Sequence, residues 1–232
     1  MYIGGKNVIQ SAITNNVAIK KVYIWHKFKD DFIISALQKR GITIKYIDKT
    51  FLNKFADKNH QGIIIDIDDY QYADLDDFLH QKDGLIVILD HVVDPQNLGA
   101  IIRSCEAFKI SGIIIPKDRS AKINETVIRA SSGGVWGVKI AQETNLSQTI
   151  NLLKQHDYWI IGADLNGSKP ENIDFCGNIA LVLGNEGFGI SKSVAKKCDF
   201  FITIPMLGTV NSLNVSVATG ILIYEAQRRR EK

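Results

Sequence analysis

Cysteine is scarce in this 232-residue chain: Cys105, Cys176 and Cys198 lie far apart and are odd in number. They offer neither a disulfide framework nor a metal-ligand pair, so a reducing cytoplasm is the simplest expected home. Long apolar runs are missing too. No stretch approaches the roughly 20 apolar residues that a membrane span needs. Met1-Tyr-Ile-Gly-Gly-Lys6 lacks the charged-then-apolar build of a secretory leader. Acidic residues are few at the start of the chain, where residues 1–64 hold 11 Lys and Arg against 4 acids. The next block reverses the sign, with 7 Asp against one Lys over residues 65–83. Those aspartates have no evident His partner and no glycine-paced loop, which argues for a solvated face rather than a metal site.

What is present is an ordinary globular composition, 45% apolar, enough to bury a core. The length suits one large domain, or a small domain joined to a larger one. The basic opening block is what a phosphate-binding surface requires.

Residues 1–66 alternate short strands and helices. Gly4 to Ile13 begins with turn residues and becomes an amphipathic helix. Strands are expected at Lys21–Trp25, Ile42–Ile47 and Ile63–Ile65, with helices at Asp31–Arg40 and Thr50–Phe55. This pattern predicts a small α/β domain. His60, before Gly62, reads as a turn histidine that packs or caps. Residues 67–83 form an acidic linker in which Asp74–Leu79 makes a short helix.

From Gly84 the units lengthen. Apolar strands are expected at Leu85–Leu89, Gly112–Ile115, Val138–Ile140, Tyr158–Ala163, Ile179–Leu183 and Phe201–Ile204. Helices are expected at Leu98–Phe108, Asn124–Ala130 and Leu146–Gln155. Fully apolar strands between helices predict a doubly wound α/β domain over residues 84–232. A last helix starts near Ser212 to Asn214, all helix-capping residue types. Val217, Ile221 and Tyr224 form one stripe on it, with Leu213 and Leu222 off the stripe, so it reads as buried on more than one side. Arg228-Arg229-Arg230 reads as a solvated tail.

Three segments carry a resemblance. Asp94-Pro-Gln-Asn-Leu-Gly-Ala-Ile-Ile-Arg103-Ser, Leu181-Val-Leu-Gly-Asn-Glu-Gly187-Phe-Gly-Ile190 and Ile204-Pro-Met-Leu-Gly-Thr-Val-Asn-Ser-Leu-Asn-Val-Ser-Val-Ala218 stand in the order of the three motifs of the SpoU family. That family is also called the TrmH-like RNA ribose 2'-O-methyltransferases. The resemblance implies a trefoil-knot domain of the SPOUT type over residues 84–232. It also implies a front domain similar to a ribosomal protein of the L30e type, which binds the RNA substrate. S-adenosylmethionine is the implied methyl donor, and the chemistry needs no metal and no phosphate loop. The sequence indeed holds no Gly-x-x-x-x-Gly-Lys-Ser/Thr motif, and no Gly-x-Gly-x-x-Gly after the first strand of the larger domain.

Matched to the family pattern, Gly184, Ile204 and Leu213 are the residues that hold the cofactor. Arg103 matches the central catalytic residue, with Asn97, Glu186, Ser212 and Asn214 around it. A guanidinium scarcely loses its proton, so Arg103 is expected to grip a phosphate and place the ribose hydroxyl; the bland alternative is a surface pair with Glu106. Glu186 orients its neighbours or caps a helix near Ser191. Trp136 stands where relatives often carry a smaller or polar residue. The layout is similar to that of bacterial enzymes acting on a guanosine of 23S rRNA, with homodimers formed through the knotted domain. The rivals are a transfer-RNA methyltransferase and a non-catalytic RNA-binding protein.

Overall fold

The computed structural model describes residues 1–55 and 59–230. Two sheets divide them. The first contains β1 (Tyr2–Gly4), β2 (Ile19–Trp25), β3 (Ile44–Ile47) and β4 (Ile63–Ile67) in the order β1-β4-β2-β3. β2 and β3 run parallel, while β4 runs antiparallel to both β1 and β2. Helices α1 (Lys6–Thr14), α2 (Asp31–Lys39) and α3 (Lys49–Leu52) connect them. The strand β1 is absent from the sequence reading. Its three residues are too short to show alternation, and pairing with the fully buried Ile64 and Ile65 of β4 defines it.

His60 is a structural histidine, as the sequence suggested. It is 1% exposed. Its Nδ1 accepts from the Gly62 N–H at 2.9 Å, and its Nε2 bonds to Asn53 Oδ1, also at 2.9 Å. Burial, with help from the charges of Lys49 and Arg129, holds its pKa below the usual value. The neutral ring, donating through Nε2, satisfies both bonds.

The acidic segment is docked rather than free. Its short helix α4 (Asp76–Leu79) buries Phe78 completely. The Tyr158 hydroxyl donates to the Phe78 carbonyl at 2.7 Å, and the Ile123 N–H donates to the Tyr72 hydroxyl at 2.9 Å. Its carboxylates stay at the surface, where Asp77 meets Lys139 at 2.8 Å; such exposed pairs contribute little.

The second sheet contains β5 (Leu85–Asp90), β6 (Gly112–Pro116), β7 (Ile140–Glu143), β8 (Tyr158–Ser168), β9 (Asn178–Gly184) and β10 (Phe200–Ile202). All pair in parallel, in the order β10-β8-β9-β5-β6-β7. Every residue of β5 is buried, as expected of a central strand covered on both faces. The covering helices are α5 (Pro95–Ala107), α6 (Glu125–Ala130), α7 (Leu146–Gln155), α8 (Lys192–Ala195) and α9 (Val215–Arg230). β7 starts where the sequence placed its end. β8 runs past Ala163 because Ser168 still pairs with Ile202 of β10.

β10 lies at the sheet edge, yet α9 packs on α5 and touches β9. The chain therefore doubles back after β10, past the ends of β8 and β9. This is the return that the trefoil-knot SPOUT arrangement calls for, and rules of unknotted topology do not generate it.

α9 departs from the sequence reading in two respects. Its core face is Val215, Thr219, Leu222, Ile223 and Ala226, whereas Val217, Ile221 and Tyr224 are 49%, 38% and 50% exposed. The arginines at its end are helical and tethered. Arg230 donates to the carbonyls of Gly177, at 2.9 Å, and Asp83, while Arg228 and Arg229 both reach Glu225. Burial of backbone carbonyls near this helix end supplies acceptors that composition does not reveal.

The two sheets meet through α1. Ser11 Oγ donates to the Gly133 carbonyl at 2.8 Å. Gly133 has φ +83°, and a side chain there would meet Ser11 Cβ at 2.6 Å. A β-carbon at Gly112 would lie 1.7 Å from Phe78 Cε1. Gly112→Ala is therefore expected to lower stability by about 1–3 kcal/mol through overpacking, read as a drop in the urea midpoint. An unchanged midpoint would mean that Phe78 is not packed against β6.

Candidate active site

A cleft of about 490 Å³ opens at the carboxyl ends of β8, β9 and β10, where ligands collect in open α/β sheets. Its apolar wall includes Leu183, Ile202 and Leu222, and its rim is formed by the turn after β9 and the loop before α9. The turn is a tight structure. Asn185 and Gly189 exchange backbone hydrogen bonds at 3.1 and 2.9 Å, and the Gly187 N–H donates to Asn185 Oδ1 at 2.8 Å. Asn185 Nδ2 ties it to the His91 carbonyl at 3.1 Å.

Gly184 lines the cleft, and a β-carbon there would fall 2.0 Å from the carbonyl carbon of Gly189. Glycine at 184 thus lets the turn close on its own backbone, before any ligand is considered. Ile204 and Leu213 line the same cleft, half-buried. Both stand in irregular backbone, and their N–H groups have no partner among the described residues. Apolar side chains beside open backbone donors suit a flat, partly polar ring system.

One hydrogen-bonded chain draws the three motifs together. Asn97 Nδ2 donates to Glu186 Oε1 at 2.5 Å, and Asn214 Nδ2 donates to Asn97 Oδ1 at 2.9 Å. Asn97 sits in the first turn of α5, which Asp94 caps by accepting from the Gln96 N–H at 2.9 Å. Asn214 Oδ1 accepts from the Ser216 N–H at 2.8 Å and from the Ser216 hydroxyl at 2.6 Å, so Asn214 also fastens the start of α9. Glu186 does not cap α8, whose N-cap residue is Ser191; its carboxylate faces Asn97 instead. Ser212 is exposed on the cleft rim.

Arg103 stands apart. It is exposed on α5, six residues and about 9 Å along the axis from Asn97. It lines a second cleft, of about 360 Å³, facing Asn7, Gln10 and Ser11 of α1. Neither Glu106 nor any other described side chain pairs with it. Trp136 belongs to a short 3-10 turn at Gly134–Trp136 and packs against the core between the two sheets.

Comparison with known proteins agrees with this layout. The family model described as "SpoU rRNA Methylase family" matches residues 84–224, and that for "RNA 2'-O ribose methyltransferase substrate binding" matches residues 2–73. The chain belongs to the SpoU family. A Staphylococcus haemolyticus protein assigned to the TrmH family of tRNA/rRNA methyltransferases is 39% identical over 239 residues, covering 99% of this chain and 96% of that protein. The AdoMet-bound rRNA methyltransferase of Sinorhizobium meliloti superposes with a TM-score of 0.82 at 26% identity, covering 98% of this chain and 86% of the other. The TrmH/SpoU tRNA modifying enzyme of A. aeolicus is 37% identical, with a TM-score of 0.58, over 68% of this chain and 81% of its own. The two matches pair a methyltransferase unit with an N-terminal substrate-binding unit in this chain.

Among the described residues no helix is long and apolar enough to cross a membrane, and no group of three or more His, Cys, Asp or Glu could hold a metal. Sequence reasoning overlooked several residues. Leu165 reaches the cleft because β8 is longer than its apolar run. Asp90, 1% exposed, accepts from the Ser191 N–H at 2.7 Å and meets His91 Nδ1 at 2.5 Å. A carboxylate closing an otherwise apolar strand was the signal that could have found it.

Asn97→Ala is expected to cut the link between the second and third motifs. Hydrogen exchange at residues 185–189 and 211–216 should speed up several-fold, with a global stability loss of about 1 kcal/mol. Unchanged protection in both loops would show that the amide chain does not hold them.

Proposed function

We propose that this SpoU member is an S-adenosylmethionine-dependent RNA ribose 2'-O-methyltransferase acting on structured RNA, with a guanosine of 23S rRNA as the target class. The observation that carries this is the Asn214–Asn97–Glu186 chain at the mouth of the apolar cleft, which joins all three motifs. The S. meliloti relative, matched along nearly the whole chain and named an rRNA methyltransferase bound to AdoMet, supports both cofactor and substrate class. The tRNA alternative draws support from the A. aeolicus enzyme, over a smaller share of the chain.

The residues present fit the cofactor. The cleft volume lies in the range of small-molecule sites, Leu183 and Leu213 supply apolar walls, and the open N–H groups of Ile204 and Leu213 can bond an adenine edge. When bound, S-adenosylmethionine supplies an electrophilic methyl group on a sulfonium. Asn97, Glu186 and Asn214 keep the two loops closed beside it, and Ser212 offers a hydroxyl at the rim. Arg103, permanently charged, grips the phosphate next to the target ribose with its planar fork and fixes the 2'-hydroxyl for attack. The proton leaves to a phosphate oxygen or to water.

Three further parts belong to this proposal. Residues 1–66 act as an L30e-like RNA-binding domain, 67–83 as the connection, and 84–232 as the methyltransferase domain. The protein works in the cytoplasm. It forms a homodimer through the knotted domain, which the half-exposed Val217, Ile221 and Tyr224 on α9 support. A partner covering that apolar face would also bring a second chain near a cleft that Arg103 of the same chain does not line.

Calorimetry with S-adenosylmethionine in the presence of a chelator should show binding; absence of heat at millimolar cofactor would refute the cofactor assignment. Mapping 2'-O-methyl sites in RNA from cells with and without the protein should reveal one lost site, in ribosomal RNA by this proposal and in tRNA by the alternative.

Arg103→Ala should leave cofactor affinity intact and slow methyl transfer at least ~100-fold, about 2.7 kcal/mol of transition-state stabilisation. Arg103→Lys should not restore it. Mixing Arg103→Ala with a Gly184 variant that cannot bind cofactor should regenerate working sites if Arg103 serves its neighbour. No recovery despite demonstrated subunit exchange would place Arg103 in its own chain's site.

A further inference from the structure

A third cleft, of about 500 Å³, lies at the carboxyl ends of the parallel pair β2 and β3, far along the sequence from the methyltransferase motifs. Its walls are His26, Tyr46, Ile47, Asp48, Thr50, Phe51 and Lys54. Two of these are large rings left in water, Tyr46 at 50% and Phe51 at 42% exposure. The same domain buries Ile3, Ile9, Ile24, Ile33 and Ile63–Ile65 almost completely, so large rings left in water call for a reason.

The rings are also organised. His26 stacks on Tyr46, with centroids 6.2 Å apart and planes 22° apart. Phe51 leans on Phe55 at 5.0 Å, and Phe55 in turn stacks on Tyr23 at 5.9 Å with planes 8° apart. Each exposed face is thus backed by another ring and held in orientation. Cations sit beside them. Lys54 Nζ lies 5.9 Å from the Phe51 ring centroid, and Lys49 Nζ lies 5.4 Å from that of Trp25. The polar side chains of His26, Asp48 and Thr50 make no hydrogen bond or ion pair among the described residues. β3 is the edge strand of its sheet, so nothing within that sheet covers the cleft from outside.

Backed rings, flanking ammonium groups and uncommitted polar groups in a concave site match the chemistry of an unpaired nucleobase. The ring faces stack on the base, the lysines meet its phosphates, and Asp48, Thr50 or His26 can bond its edge. We propose that this cleft is a docking subsite for an unstacked base of single-stranded RNA, carried by Tyr46 and Phe51 and separate from the methyl-transfer cleft. The occupant is fixed by charge complementarity, because residues 1–64 carry 11 Lys and Arg against 4 acids and a polyanion is the natural partner. The inference deepens the reading of residues 1–66 as an RNA-binding domain by naming the strand state it holds and the rings that hold it.

The test uses the full-length protein without cofactor and without the target RNA, so that its outcome is independent of methyl transfer. The probe is a 12-nucleotide single-stranded oligoadenylate carrying one 2-aminopurine, compared with the same strand annealed into a duplex. The wild-type protein should quench 2-aminopurine and prefer the single strand. Phe51→Ala and Tyr46→Ala should each weaken single-strand binding by about 5- to 50-fold, the size expected for loss of one stacked base. Phe51→Leu should lose as much as alanine, because bulk without a π-face does not stack. Lys54→Ala should lower the salt slope by about one. Tyr46 is the more exposed ring, so its variant stays informative if Phe51→Ala proves poorly folded by circular dichroism. Retention of full single-strand affinity by Tyr46→Ala, or full rescue by Phe51→Leu, would overturn the stacking subsite. Loss of S-adenosylmethionine binding or of methyl transfer would bear on the proposed activity and leave this inference standing.

Discussion

The active-site region depends on one carboxamide. Asn97 donates to Glu186, 89 residues away, and accepts from Asn214, 117 residues away. A carboxamide donates through its nitrogen to the carboxylate while its oxygen accepts from the second amide, so one side chain bridges both loops. Aspartate at that position would repel Glu186, and leucine would remove the bonds of Glu186 Oε1 and Asn214 Nδ2 to it. Because Asn97 sits in the first turn of a helix capped by Asp94, its direction is fixed by α5 rather than by the loops it joins. The helix therefore sets the position of the two loops, which is the order that precise positioning requires.

Backbone closeness is the second constraint. The turn after β9 folds back so tightly that Gly184 and Gly189 nearly touch, and the chain then has to return past the same strand ends to place α9 on α5. A side chain at Gly184 would hold that turn open. The cleft is the space left between segments that approach one another this closely. Its lining is mixed for the same reason: apolar side chains come from strand ends, and open N–H groups come from backbone that passes through without pairing.

The strands were legible because apolar runs in a parallel sheet need no alternation to be recognised, as in Leu85–Leu89. Strand β1 was not, since three residues carry no period and their identity as a strand comes from β4. The docking of residues 67–83 was hidden by six aspartates, although Phe78 and Tyr72 anchor the segment. For the site, the sequence located the polar residues but assigned one of them a rival role that geometry removes: Glu186 faces Asn97 rather than capping α8. The stripe on α9 failed for an instructive reason. A helical period in apolar residues marks a face that avoids water, and does not say whether the cover comes from the same chain.

That last point joins the position of Arg103. In one chain the guanidinium looks toward α1, across a cleft of its own, while the loops of the second and third motifs close a different cleft at the other end of α5. The guanidinium is exposed to solvent, and the one other charged side chain lining its cleft, Glu106, makes no ion pair with it among the described residues. Under the proposed mechanism α5 would carry a phosphate-gripping cation toward its end beside a loop-fastening amide at its start, and a substrate engaging both would span the helix or be met by the cleft of a second chain. The half-exposed Val217, Ile221 and Tyr224 lie on α9, the helix that packs against α5, so the apolar face through which the proposed dimer would form and the Arg103 guanidinium are carried by neighbouring helices.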